Sequence, residues 1–200
     1  RAVAGLVPGA EGVGLLGISF GSGVALQAAA LDRSVASVLS LSTYRTGEEW
    51  LRDMRPLHEM ASLLATLDAA RRTGTAGHEV MIPVTRVFPR DPIGASYEQN
   101  MRDEGSKRAR ELDATSVEQI VRFRPIDHAC ALRVKASHFV HCNDDVTMAV
   151  AHARDFADRA HGSIEVLPGV DHYQVYQPQH LEPLCDRIAA FFGRTLGVGQ

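Results

Sequence analysis

The sequence predicts an α/β protein: a mostly parallel sheet flanked by helices, with a helical lid inserted after the second predicted strand. Three observations point there. Two apolar runs, Val13 to Ser19 and Val35 to Leu41, bracket a stretch of good helix formers, Ser22 to Leu31. Strand, helix, strand at this spacing is a βαβ unit, and such units build parallel sheets. The same rhythm returns from Val134 to the C terminus, and the residues between break it. The expected organisation is therefore residues 1–44 as one part of the sheet core, 45–124 as the inserted helical lid, and 125–200 as the rest of the core.

Taken in order, residues 1–11 read as a helix end and a loop, broken at Pro8-Gly9. Val13 to Ser19 lies between glycines and is expected to be a strand buried on both faces. Val35 to Leu41 reads as a second buried strand. Thr46 followed by Glu49 forms a capping box for a helix toward Arg72, with Pro56 kinking it or delaying its start. Val80 to Phe88 is expected extended or loop-like, Ser96 to Leu112 helical, and Thr115 with Glu118 to cap one more helix. Val134 to His141 is a strand, Val146 to His161 a helix closed by Gly162, and Ser163 to Leu167 a short strand. Leu181, Leu184, Cys185, Ile188, Phe191 and Phe192 make an amphipathic stripe for a closing helix.

Composition narrows the function classes. With 45% apolar and 22% charged residues among 200, the chain is globular, not disordered, collagen-like or coiled-coil. The 21 basic and 24 acidic residues leave a net charge of −3, which gives nucleic acid no electrostatic footprint. Three cysteines (Cys130, Cys142 and Cys185) do not suggest a disulfide framework, so a reducing, cytoplasmic setting is expected. The uncharged run Gly12 to Leu31 could span a bilayer by length. Its glycines and serines argue against a lipid-facing helix, and no membrane partner is expected.

The chemistry starts at Gly17-Ile18-Ser19-Phe20-Gly21, a G-x-S-x-G sequence after a predicted strand and before a helix. A serine in such a sharp turn presents its hydroxyl above the sheet edge. Gly17 and Gly21 are expected to be glycines because strand and helix pass closely there. The Phe20 N–H, at the helix start, can donate to a developing oxyanion. On pattern alone, a tight connection explains the motif equally well. The overlapping Gly12-Val13-Gly14-Leu15-Leu16-Gly17 fits a dinucleotide fingerprint. The apolar run lies inside it, though, and the next strand ends in Leu41-Ser42-Thr43-Tyr44 without the expected carboxylate. No organic cofactor is expected.

Two further positions follow predicted strands. Asp144-Asp145 comes after the strand ending near His141, and His172 after the strand ending at Leu167. Each alone reads as a turn residue; their order after Ser19, each just past its own strand, is what raises them. Asp171 is a third acid near His172, poorly placed because neighbouring side chains on an extended segment diverge. His138, His141 and Cys142 alternate across a strand, and His128 and Cys130 lack a partner pair, so no metal site is expected.

These pieces resemble the α/β-hydrolases, and in detail the dienelactone-hydrolase-like and cocaine-esterase-like bacterial serine hydrolases. The resemblance rests on Gly14 to Gly21, on His141-x-x-x-Asp145 and on Leu167-Pro168-Gly169-Val170-Asp171-His172. It implies a catalytic triad of Ser19, Asp145 and His172, favours Asp145 over Asp144, and makes Phe20 half of an oxyanion hole. Members of that family carry several strands before the serine strand, whereas about a dozen residues precede it here. The strands and the second oxyanion donor are therefore expected from outside this chain, which reads as a fragment, and a homo-oligomer is possible. Cys142 stands where the family has glycine. The implied function is cleavage of an ester, lactone or related acyl bond in a small-molecule acyl substrate. Acyl transfer, carbon–carbon bond hydrolysis and a non-catalytic α/β module are the alternatives.

Overall fold

The structure is a computed structural model that describes residues 12–74, 80–88, 94, 96 and 109–197. The expectations for residues 1–11, and for most of 96–112, lie outside them. The described elements run β1 (Val13–Ile18), α1 (Phe20–Leu31), β2 (Val35–Leu41), α2 (Gly47–Asp53), α3 (Leu57–Gly74), β3 (Met81–Pro83), α4 (Val84–Val87), β4 (Glu111–Asp113), α5 (Ala114–Arg122), β5 (Ala136–Cys142), α6 (Val150–Ala160), β6 (Ser163–Leu167) and α7 (Pro178–Leu196). Short turns of 3-10 helix occupy Pro125–Ala131 and Gln174–Tyr176. Contacts divide the chain into two compact units, one of residues 1–45 and 124–200, the other of residues 46–123.

The first unit is a parallel sheet in the order β1, β2, β5, β6. Every residue of β2 is buried, as its unbroken run of small and apolar residues requires for a strand covered on both faces. On one face Val38 and Phe139 pack with Leu26 of α1 and Phe156 of α6. On the other, Leu39, Leu41 and Val140 pack with Leu184 and Phe191 of α7. The stripe read on α7 thus faces the sheet at these two positions. β1 differs from expectation: among the described residues it pairs with β2 alone, and Leu16 (43% exposed) and Ile18 (37%) meet solvent. Helix α6 begins at Val150 rather than Val146, because the acidic turn described below takes the residues between. Its positive-φ cap is His161 (φ 50), not Gly162. Gly162 answers to space instead, since a Cβ there would lie 2.4 Å from Ser137 Oγ.

The second unit has its own apolar core, with Leu51, Met60, Leu63, Leu67, Ile82 and Val117 at its centre. Thr46 caps α2, its Oγ1 accepting from Glu49 N at 3.1 Å. The single helix expected to reach Arg72 is two, α2 and α3, parted at Met54 to Pro56. Proline opens the new helix there, and the buried Arg55 guanidinium donates to the carbonyls of Leu51, Arg86 and Val87. Leu112, expected helical, lies in β4, which pairs antiparallel with β3. Asp113 rather than Thr115 caps α5, accepting from Ser116 N at 3.0 Å. The unit's two ends meet: Gly47 N donates to Phe123 O at 2.8 Å, and a Cβ on Gly47 would fall 1.7 Å from Ile120 O. None of the described helices is long and apolar enough to cross a membrane.

Candidate active site

Ser19 sits between β1 and α1 with φ 53 and ψ −125, a conformation that side chains rarely adopt. Neighbours hold it there. Its N–H donates to Leu41 O of β2 at 2.9 Å. Ser22 Oγ donates to Ser19 O at 2.6 Å, while Ser42, itself at φ 52, offers its carbonyl 3.3 Å from the same hydroxyl. Gly17 makes the turn possible: a Cβ there would lie 2.6 Å from Ser22 Cα and 2.7 Å from Gly21 O. Gly21 does not share that reason. A Cβ at Gly21 would meet nothing within 4 Å, so the expected collision holds at Gly17 alone.

Phe20 is the first residue of α1, so its N–H lies at the positive end of that helix. Tyr44 fixes the residue from below. It is fully buried, its hydroxyl donates to Phe20 O at 3.2 Å, and the two rings stand nearly parallel, 6.0 Å apart. Burial raises the Tyr44 phenol above its ordinary pKa, which keeps it a donor.

His172 follows β6 and the Gly169 turn. Asp171 closes this loop on itself: Oδ1 accepts from Tyr173 N (2.8 Å) and Gln174 N (2.7 Å), and its own N–H donates to Gln174 Oε1 (3.1 Å). His172 Nε2 lies 3.1 Å from Ser19 Oγ, and its Nδ1 lies 2.7 Å from Asp145 Oδ2. Asp145 is buried, and its other oxygen accepts from Thr147 N (2.8 Å), Thr147 Oγ1 (2.7 Å) and Met148 N (2.8 Å). Burial pushes this carboxyl up, but the hydrogen bond and charge of His172 and the donors of Thr147 and Met148 outweigh it. The net shift is down, and Asp145 is ionised. An ionised acceptor at Oδ2 assigns the ring proton to Nδ1, leaving the Nε2 lone pair toward the Ser19 hydroxyl. Asp144 is exposed and takes Asn143 Nδ2 at 3.0 Å. The structure thus brings Ser19, His172 and Asp145 into one chain of hydrogen bonds, with Asp144 and Asp171 outside it. Cys142, beside this chain, is buried; burial and the Asp145 charge push its thiol up to about 12. Among the described residues, no three His, Cys, Asp or Glu side chains are grouped to hold a metal ion.

No protein-family model and no curated protein matches the sequence. Solved structures do match. GrgF, an α/β hydrolase from Penicillium sp. sh18, shares 15% identity at a TM-score of 0.71, over 92% of this chain and 64% of its own. DcsB, in complex with its substrate analogue, shares 15% at 0.74, over 94% and 66%. The monoacylglycerol lipase of Paleococcus ferrophilus shares 14% at 0.65, over 91% and 68%. The chain has the α/β-hydrolase fold. It spans about two thirds of the length of these structures.

Within this α/β-hydrolase fold, several residues that shape the site carry no motif in the sequence. Ser22 and Tyr44 act through carbonyls of the serine turn. Thr147 offers the one readable signal, since Asp-x-Thr is a pattern in which the carboxylate caps its own turn.

Proposed function

We propose that this chain carries the catalytic residues of a serine hydrolase that cleaves an ester, lactone or related acyl bond through an acyl-enzyme on Ser19. The observation that supports this reading is the unbroken line from Ser19 Oγ to His172 Nε2 and from His172 Nδ1 to Asp145 Oδ2. In this reading Ser19 attacks the acyl carbonyl as His172 takes its proton. His172 returns that proton to the leaving group, and Asp145 holds the imidazole tautomer and steadies the imidazolium. The Phe20 N–H donates to the tetrahedral oxyanion. Water then repeats the sequence on the acyl-enzyme, with His172 again the base. The residues of the second unit set substrate choice as a lid. Replacing them with a short turn should change selectivity among acyl chains more than it changes the reactivity of Ser19.

A fluorophosphonate probe tests the core of the proposal. It should label the chain at Ser19 at neutral pH and fail to label Ser19→Ala. Turnover of an activated ester should fall on the order of 10⁶ in that variant, the scale for removing a triad serine. Equal labelling or turnover in Ser19→Ala would end the reading.

A further inference from the structure

His141 is a buried titratable group that the scheme above leaves unused. It is the second-last residue of β5, is 0% exposed, and lies four residues before Asp145. A buried neutral imidazole needs an acceptor for its proton, and this one finds it outside the sheet. Nε2 lies 2.8 Å from Met148 O. A carbonyl only accepts, so the proton is on Nε2, and Nδ1 has no hydrogen-bond partner among the described residues. Met148 is also the residue whose N–H donates to Asp145 Oδ1. The ring therefore grips the turn that orients the acid.

We propose that His141 is a positioning residue for Asp145: by holding the Met148 carbonyl it keeps the 145–148 turn closed and leaves Oδ2 directed at His172. The inference rests on the proposed triad. Charge agrees with the geometry. Burial lowers the pKa of His141, the Met148 carbonyl and Asp145 oppose that shift, and the nearby His152 and His172 reinforce it. A neutral ring adds no second positive charge beside the Asp145–His172 pair. An apolar side chain of similar size would fill the same space but could not hold the carbonyl.

Three substitutions separate grip from packing. His141→Gln places an amide N–H where Nε2 lies and retains the donor. His141→Asn stays polar but ends short of Met148 O. His141→Phe fills the space without a donor. The first readout is the low-field NMR signal of the His172 Nδ1 proton shared with Asp145 Oδ2, which needs no catalytic activity. The second is the rate of fluorophosphonate labelling across pH.

In the Asn and Phe variants, a loosened carboxylate should hold the His172 Nδ1 proton less firmly. That proton's low-field signal should move upfield or broaden, and labelling should fall by about fivefold, on the scale of one lost hydrogen bond. Gln should keep both near wild type. If Phe does not fold, the contrast between Asn and Gln carries the test. An equal proton signal in all variants, or Gln as changed as Asn, would overturn the proposal. A wild type that is not labelled at all would instead overturn the hydrolase reading, while the NMR proton signal would still judge the grip on Asp145.

Discussion

Exchanging each glycine of the serine turn for alanine asks whether the turn is held by contact or only by habit of sequence. At Gly17 the new Cβ would sit 2.6 Å from Ser22 Cα, 2.7 Å from Gly21 O and 2.7 Å from Ala25 Cβ. Two of those atoms are backbone and cannot rotate aside, so the start of α1 must move away from β1. Overpacking of this kind costs roughly 1–3 kcal/mol. For a chain of this length each kcal/mol lowers the melting temperature by about 2–4 °C. Gly17→Ala should therefore melt roughly 2–12 °C below wild type. The displacement also carries Ser19 Oγ from its 3.1 Å contact with His172, so fluorophosphonate labelling should slow by about tenfold or more. At Gly21 the Cβ meets open space in the first turn of α1. Alanine there should be neutral, or stabilising by at most about 1 kcal/mol from helix propensity. Thermal melts and labelling rates of the two variants decide the matter. A Gly17→Ala protein that melts and labels like wild type, or a Gly21→Ala protein that is the more damaged, would refute the reasoning.

Asp145→Asn should lose about 10⁴ in turnover through the wrong imidazole tautomer, with Asp144→Asn within about tenfold of wild type; steady-state kinetics on an activated ester compares them. Ser22→Ala leaves Ser19 O without the hydroxyl it accepts from and should cost about 1–3 kcal/mol in urea unfolding. Stability should fall with acid. His138 and His141 have lowered pKa values in the fold, from burial first, so below about 6.5 the unfolded chain takes up protons that the folded one does not. Each can contribute a slope of up to about 1.4 kcal/mol per pH unit, and Gln at either position should flatten the urea midpoint between pH 7 and 5. Asp145, whose pKa is also lowered, adds stability above about 3.9 that is lost as pH falls through its folded value.

Elements set by local pattern were legible in the sequence. β2 and β6 run over the residues read for them, Val35–Leu41 and Ser163–Leu167: β2 is an unbroken run of small and apolar residues, the signal of a buried strand, and β6 is a half-exposed strand marked off by Gly162 before it and Pro168-Gly169 after it. What escaped depends on side chains that compete with the backbone or reach far along the chain. Asp145 takes the N–H groups of Thr147 and Met148, and that delays α6 to Val150 in a way no periodicity reports. Arg55 is buried at the break between α2 and α3 because carbonyls at 86 and 87 receive it, a pairing invisible at residue 55. At the site, the G-x-S-x-G motif and chain order located Ser19, an acid and His172. The choice between Asp144 and Asp145 turns on direction within a tight turn. The difference between Gly17 and Gly21 turns on which one α1 crosses.

The closed doorway of residues 46–123 makes that unit a cassette. Its ends are joined by the Gly47–Phe123 hydrogen bond, and the flanking chain is joined in turn where Ile126 N donates to Arg45 O at 3.1 Å. Neither cut would leave distant ends to be bridged. Doubling the length of a tethered loop costs only about 0.6 kcal/mol, so content and size on the far side of the doorway can drift while the sheet keeps its register. The fixed point is Gly47, pressed against the Ile120 carbonyl, and a grafted or transplanted insert would have to bring its own glycine to that threshold.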